Sequence, residues 1–295
     1  SFTLDDLTYT KIRDYFKSGI VVCQNEGLTF STGFECEITS EIPIKSGTSS
    51  SSAISVSWIY FLSRMADKPV NWDRQKIGRL AYKAEILEFN EPGGMMDQYS
   101  TAMGNLIYLE SKPEISIRSL NTNLGTFILG DSCEPKNTMA ILSRCRDSRL
   151  KLFHRIKIKN PRFSIQSFEE DLDLSEITDD EKSLFLGTVR NREILHEALI
   201  ECEKNKIDHQ KIGFLLTQHH NQLRDVLQVS TPKIESMLDS AIDAGALGGK
   251  INGSGGGGCM FAYAPENPEQ VSEAIETKGG KSYIINLDEG TKFLI

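Results

Sequence analysis

An α+β fold is what the sequence predicts, on three observations. The second half of the chain orders its elements as strand, four helices, strand, glycine turn, strand, helix, strand, the order of an α+β sandwich. The 295 residues leave room for one large domain or two of ordinary size. A β-rich segment, TFILGDS at 126–132, starts a second unit after a first that has helices and strands of its own.

The first unit opens on a polar entry. A helix follows whose imperfect stripe is Leu7, Ile12, Tyr15, Phe16 and Ile20. Residues 28–40, LTFSTGFECEITS, alternate and carry β-branched and aromatic residues, so they read as a strand or hairpin. The loop 45–48 and four serines, Ser49 to Ser52, lead into a helix with Ala53, Ile54, Val56, Ile59, Tyr60 and Leu62 at helical spacing. Pro69 stops that helix, and Asn71 is in place to cap the next. That next helix, 73–89, puts Ile77, Leu80, Ala81, Ala84 and Leu87 on one side and ends in the break Asn90-Glu91-Pro92-Gly93-Gly94. A short amphipathic segment, 95–103, precedes strands at 105–110 and 114–119. In the second unit, helices are expected at 137–156, 180–204, 208–225, 231–244 and 268–277, with strands at GGKIN, CMFAYAP and SYIINL.

Composition narrows the function classes. At 39% hydrophobic and 25% charged the chain has the makings of packed cores. A net charge of −8 argues against nucleic acid or an anionic membrane as the main partner, because phosphate binding needs basic surface. No run is long and apolar enough to span a bilayer and no signal peptide opens the chain, so a cytoplasmic protein is expected. The six cysteines form no CxxC pair and are expected as reduced, mostly buried thiols. None of the five histidines has HExxH spacing, and His219-His220 reads as structural within an amphipathic helix. No GxSxG elbow supports a nucleophilic serine. Trp58 and Trp72 read as core or rim aromatics.

Three stretches and one further carboxylate carry candidate chemistry. The loop Ser46-Gly47-Thr48 and Ser49 to Ser52 stand at a helix start, where unpaired N–H groups and the helix dipole favour an anion. Small residues there let a phosphate approach, and the hydroxyls add donors and a Mg²⁺ ligand; a serine-capped core helix is the competing reading. Asp97 follows Gly93-Gly94 near the start of a short helix, where it could orient or deprotonate a substrate hydroxyl, or only cap the helix. Glu85 could share a Mg²⁺ with a loop serine and ATP phosphates, or be a solvated helix charge. The run Gly253-Ser254-Gly255-Gly256-Gly257-Gly258 is longer than a strand-joining turn needs, and close backbone approach to a ligand would account for it.

Taken together and in this order, PIKSGTSSSSA (43–53), GGMMDQYSTAMG (93–104) and GGKINGSGGGGCMF (248–261) resemble motifs of the GHMP kinases, with the middle stretch most like the galactokinase branch. Lys45, Thr48 and Asn252 stand where the family usually has Gly, Leu and Thr. The segment 219–241 is also similar to galactokinases. The family's amino-terminal G-R-x-N-L-x-G-E-H-x-D-Y segment does not occur, and residues 1–19 resemble what normally follows it, so a preceding segment is expected in the full-length protein.

The resemblance implies two α+β lobes: an N-lobe over 1–123 like ribosomal protein S5 domain 2, and a ferredoxin-like α/β sandwich over 124–295. It implies that Ser46, Gly47, Thr48 and Ser49 to Ser52 cradle ATP phosphates, that Ser51 and Glu85 ligate Mg²⁺, and that Asp97 meets the C1 hydroxyl of a sugar. Gly93, Gly94, Gly253, Ser254, Gly255 and Gly256 would form substrate and phosphate loops. The implied activity is an ATP-dependent sugar kinase, galactose first, acting as a monomer or homodimer. Alternatives are a non-catalytic sugar and ATP sensor, or a GHMP kinase acting on a heptose phosphate or mevalonate.

Overall fold

Strand and helix segregate into two units, Ser1–Ile44 with Thr48–Leu120 and Leu287–Ile295, and Lys45–Gly47 with Asn121–Asn286. The computed structural model describes residues 1–43, 47–135, 138–166 and 172–293. The last nine residues, expected with the second lobe, group with the first unit.

In the first unit, helices α1 (Tyr15–Asn25), α2 (Ser50–Met65), α3 (Arg74–Tyr82) and α4 (Met96–Met103) surround one core. Its centre is Ile20, Cys23, Val56, Ile59, Leu62, Ile77 and Leu80, all within 1% of full burial. Trp58 is the anchor between α1 and α2: its Nε1 donates to the Phe16 carbonyl at 2.9 Å and its ring stacks on Phe61. Strands β1 (Leu106–Glu110) and β2 (Ser116–Leu120) pair as an antiparallel hairpin.

Four expectations for this unit are corrected. Ile12, placed on the first helical stripe, precedes α1 and is 95% exposed, because Arg13 at φ 62° breaks the helical path. Residues 28–40 form no strand; the segment is mostly exposed and has no neighbouring strand to pair with among the described residues. Asn71 does not cap α3: its Oδ1 accepts from Arg64 Nη2 at 2.7 Å, and Asp73 caps instead, accepting the Lys76 N–H at 2.7 Å. The helix 73–89 is not α-helical throughout, since α3 passes at Lys83 into a π-turn, Lys83–Leu87. A π-turn takes in one more residue per turn than an α-turn and so shifts the helical phase. Glu85 and Ile86 turn inward, and Leu87, expected on the apolar side, is 53% exposed.

The chain's end returns to this unit. Asn105 N–H donates to the Asp288 carbonyl and Arg74 Nη1 to the Glu289 carbonyl, each at 2.6 Å. Gly104 and Gly290 make the crossing possible, since a Cβ on Gly104 would lie 2.1 Å from the Gly290 nitrogen.

The second unit is built on a four-stranded antiparallel sheet of β3 (Phe127–Asp131), β4 (Gly248–Ile251), β5 (Cys259–Tyr263) and β6 (Lys281–Ile285), in spatial order β4-β5-β3-β6. With the helices between β3 and β4 and the helix between β5 and β6, this is the split β-α-β-β-α-β order of a ferredoxin-like sandwich. Helices α8 (Pro232–Asp243) and α9 (Pro268–Thr277) pack on the sheet, burying Ile128, Ile234, Met237, Met260, Val271 and Ile275. Two long helices, α5 (Thr138–Lys159) and α6 (Asp179–Cys202), make a satellite core around Leu152, Ile156, Phe163 and Phe185. Helix α7 (His209–Asn221) lies against β4 so closely that a Cβ on Gly248 would sit 1.8 Å from the Gly213 carbonyl oxygen.

None of the six cysteines is in a disulfide. Cys23 and Cys259 are buried, but Cys36 and Cys133 are exposed, one on the unpaired 28–40 stretch and the other in the turn after β3. No helix among the described residues is long and apolar enough to cross a membrane.

Candidate functional site

The start of α2 is an open helix terminus. Gly47 at φ 81° and Ser49 at φ 57° turn the chain sharply into the helix. Thr48 Oγ1 braces the turn by donating to the Pro43 carbonyl at 2.7 Å. Ser49 is the N-cap residue, yet its side chain caps no N–H. The serine-cap reading therefore does not hold for Ser49, the residue at the cap position. Ser46 lies outside the described residues.

The serines that follow diverge. Ser51 is half-buried and its hydroxyl interacts with the phenol of Tyr15, the first residue of α1. Burial holds the Tyr15 phenol up at about 12, and Arg13, Glu85 and Glu91 also act on it. Ser52 is 1% exposed and its Oγ accepts from Gln98 Nε2 at 3.2 Å. The same Nε2 donates to Glu85 Oε2 at 2.6 Å.

Glu85 is 4% exposed, so the solvated-charge reading fails. The π-turn is the cause: it rotates the carboxylate away from solvent and onto Gln98. Beside it, Arg13 grips Glu91 with two hydrogen bonds, one of them Nη2 to Oε2 at 2.8 Å. Ser52 and Glu85 are thus joined through Gln98, while Ser51 and Glu85 both act on the Tyr15 phenol.

Asp97 is exposed in the first turn of α4, where the N-cap residue Met95 makes no side-chain cap. Gln98, next in the chain, points the other way and is 1% exposed. The two neighbours divide the helix start into a carboxylate facing solvent and an amide facing Glu85. Gly94 is exposed, and a Cβ placed on it would meet nothing within 4 Å, whereas a Cβ on Gly93 would meet the Ile86 side chain at 2.7 Å.

The glycine run lies in the second unit, between β4 and β5. Gly253 is exposed and Ser254 half-buried, but Gly255, Gly257 and Gly258 are buried. Gly255 to Gly258 all have positive φ, between 73° and 105°. A Cβ on Gly255 would lie 2.5 Å from the Val229 carbonyl, and one on Gly256 2.0 Å from Ile141 Cδ1. The N–H groups of Gly256 and Gly258 already donate to the Val229 and Glu134 carbonyls. The close approach expected of a ligand is, for Gly255 and Gly256, made by the protein itself.

Two contributors escape a reading of the sequence alone. Gln98 shares its helix face with Ala102 at i+4, and that spacing is the available signal. Tyr15 reads there only as part of an apolar stripe.

Among the described residues no three His, Cys, Asp or Glu side chains converge as a metal cage. Mg²⁺ does not require one, since it is held by one or two carboxylates and completes its shell with phosphates and water. A buried carboxylate on a hydroxyl-bearing network, with the buried Gln98 Oε1 left without a partner, fits that ion.

Comparison with known proteins converges on one family. The model of the GHMP kinase N-terminal domain matches residues 14–105, and that of the GHMP kinase C-terminal domain matches 195–281. The chain is 26% identical to the mevalonate kinase of Thermococcus gammatolerans, over 98% of this chain and 79% of that one. It is 27% identical to the galactokinase of Clostridium acetobutylicum, over 99% and 79%. Its fold is similar to that of Lactococcus lactis galactokinase complexed with galactose, with a TM-score of 0.75 at 21% identity, covering 98% of this chain and 79% of that one.

Proposed function

The chain belongs to the GHMP kinase family of small-molecule phosphotransferases, and from that premise we propose that it transfers the γ-phosphoryl group of ATP to the anomeric C1 hydroxyl of galactose or a related sugar. The observation that carries the reading is the buried network joining Ser52, next in the chain to Ser51, with Glu85 through Gln98, one residue from Asp97. The stretch Gly93-Gly94-Met95-Met96-Asp97-Gln98 is what favours the sugar branch.

Phosphoryl transfer asks mainly for positioning and charge neutralisation. The N–H groups at the start of α2, which the Ser49 side chain does not cap, with Gly47, Thr48 and Ser49 to Ser52, are suited to holding the nucleotide's phosphates. Ser51 and Glu85 would hold Mg²⁺, which would supply positive charge to neutralise the phosphates. Asp97 orients the attacking hydroxyl and accepts its proton as the O–P bond forms. Gly93 and Gly94 give the acceptor room to approach, and Gly253 and Ser254 form the outer part of the second glycine-rich loop.

A second reading, with mevalonate as the acceptor, draws on the similarity to mevalonate kinases at the same level of identity. The test is Mg²⁺-dependent ADP release across free sugars, sugar phosphates and mevalonate, with Asp97→Ala as control. Turnover on one sugar, lost in the variant, is expected. Turnover on mevalonate alone moves the assignment to the second reading. ATP and sugar binding without turnover makes the protein a sensor.

A further inference from the structure

We infer that Gln98 is a positioning residue for the divalent cation: it fixes the Glu85 carboxylate and offers its own amide oxygen to a cation-bound water. The inference rests on the reading of Glu85 as a cation ligand and names the side chain that makes Glu85 competent.

The chemistry of the pair sets the orientation of the amide. Gln98 turns its nitrogen toward Glu85, since Nε2 is the donor to the carboxylate oxygen. Both Nε2 protons are then used, one on Glu85 Oε2 at 2.6 Å and one on Ser52 Oγ at 3.2 Å. Glu85 Oε2 is committed, and the other carboxylate oxygen receives no hydrogen bond among the described residues. A carboxylate with one oxygen tied and one free is set up to bind a cation through a single atom.

Gln98 Oε1 is the second observation. It is buried and has no hydrogen-bond partner among the described residues. Buried polar atoms of native proteins are rarely left so, and an exception points to an ion or water. The atom shares its carbon with Nε2, so it lies within one water's reach of the carboxylate. Mg²⁺ gives up its water reluctantly and keeps several molecules when bound, each a strong donor. A glutamine kept only for packing would have no reason to hold an oxygen in reserve.

Outer partners of this kind typically change metal affinity by about 10–100-fold. The test uses the full chain and reads nucleotide binding, with no need for an acceptor: ADP affinity by calorimetry as Mg²⁺ is varied, and Mn²⁺ binding by electron paramagnetic resonance. Gln98→Met keeps length and volume but removes both donor and acceptor. It is expected to raise the Mg²⁺ concentration for half-maximal ADP binding about tenfold or more, with ADP affinity recovering at saturating Mg²⁺. Gln98→Asn, too short to reach Glu85, is expected to do the same and serves if the first variant does not fold. Glu85→Gln is the reference. If it raises the Mg²⁺ requirement while folded Gln98 variants leave it unchanged, the proposal is overturned and the reading of Glu85 survives. If Glu85→Gln itself leaves the requirement unchanged, the cation reading fails and the proposal falls with it.

Discussion

The imidazole Nδ1 of His220 accepts the main-chain N–H of Ile251 at 3.2 Å, so a helix side chain occupies a pairing position on the free edge of β4. The other ring nitrogen lies 2.9 Å from Glu235 Oε1, which fixes the tautomer with its proton on Nε2. Edge strands invite pairing with other chains, and here α7 covers the edge while His220 satisfies one of its donors. Replacing His220 by Ala leaves the Ile251 N–H buried without an acceptor. The expected cost is about 1–3 kcal/mol, read as a lower urea midpoint with an unchanged slope.

His219, one residue earlier, sets an acid limit on stability. Burial first, then the neighbouring charges of Lys250 and His220, pull its imidazole down to about 4 from an ordinary 6.5. The unfolded chain therefore takes up a proton that the folded chain refuses. Stability from this group is complete above about pH 6.5 and is lost progressively as pH falls toward 4. Thermal melts between pH 7 and 4 should show that loss, and His219→Gln should flatten it.

Asp97 has no structural duty visible in its surroundings, being exposed at the start of α4. Asp97→Asn should therefore leave the melting temperature nearly unchanged. Turnover should fall by about 10²–10⁴, the usual contribution of a general base. Nucleotide affinity measured in the same preparation should not move.

Gly256 is packed tightly by its neighbours. At φ 75°, with Ile141 Cδ1 2.0 Å from where a Cβ would be, Gly256→Ala is both strained and blocked. The left-handed backbone alone costs an L-residue roughly 1–2 kcal/mol. Combining it with Ile141→Val removes the clashing methyl and should restore the steric part only, a separation that a double-mutant cycle in urea would measure. Gly94→Ala, in open space, should change stability by less than about 0.5 kcal/mol.

Where local pattern decides structure, the sequence is readable. The strand pair over 106–120 and the strand–glycine–strand order of the second unit follow from periodicity and turn chemistry. Residues 28–40 have a strand's composition, but a strand also needs a partner, and pattern cannot supply one. The inward turn of Glu85 is illegible for a different reason: a π-turn is invisible to a 3.6-residue period, so the residue that the period places inside, Leu87, comes out. The phosphate-loop serines are legible as a group, yet the partition of Ser51 to Tyr15 and Ser52 to Gln98 depends on contacts across 36 and 46 residues.

The first unit is closed by residues 287–293, with Asn105 and Arg74 bound to the carbonyls of Asp288 and Glu289. A ribosome makes those residues after the whole second unit. At roughly 5–20 residues per second, the nascent first unit waits on the order of ten to thirty seconds for its last segment. During that time the Asn105 N–H and the Arg74 guanidinium lack their carbonyl partners from the tail. The first unit is thus begun first and completed after the second, and it is the unit that carries Ser51, Glu85 and Asp97. A nascent-chain protease series should find α4 and the 106–120 hairpin cleavable until residue 290 has emerged.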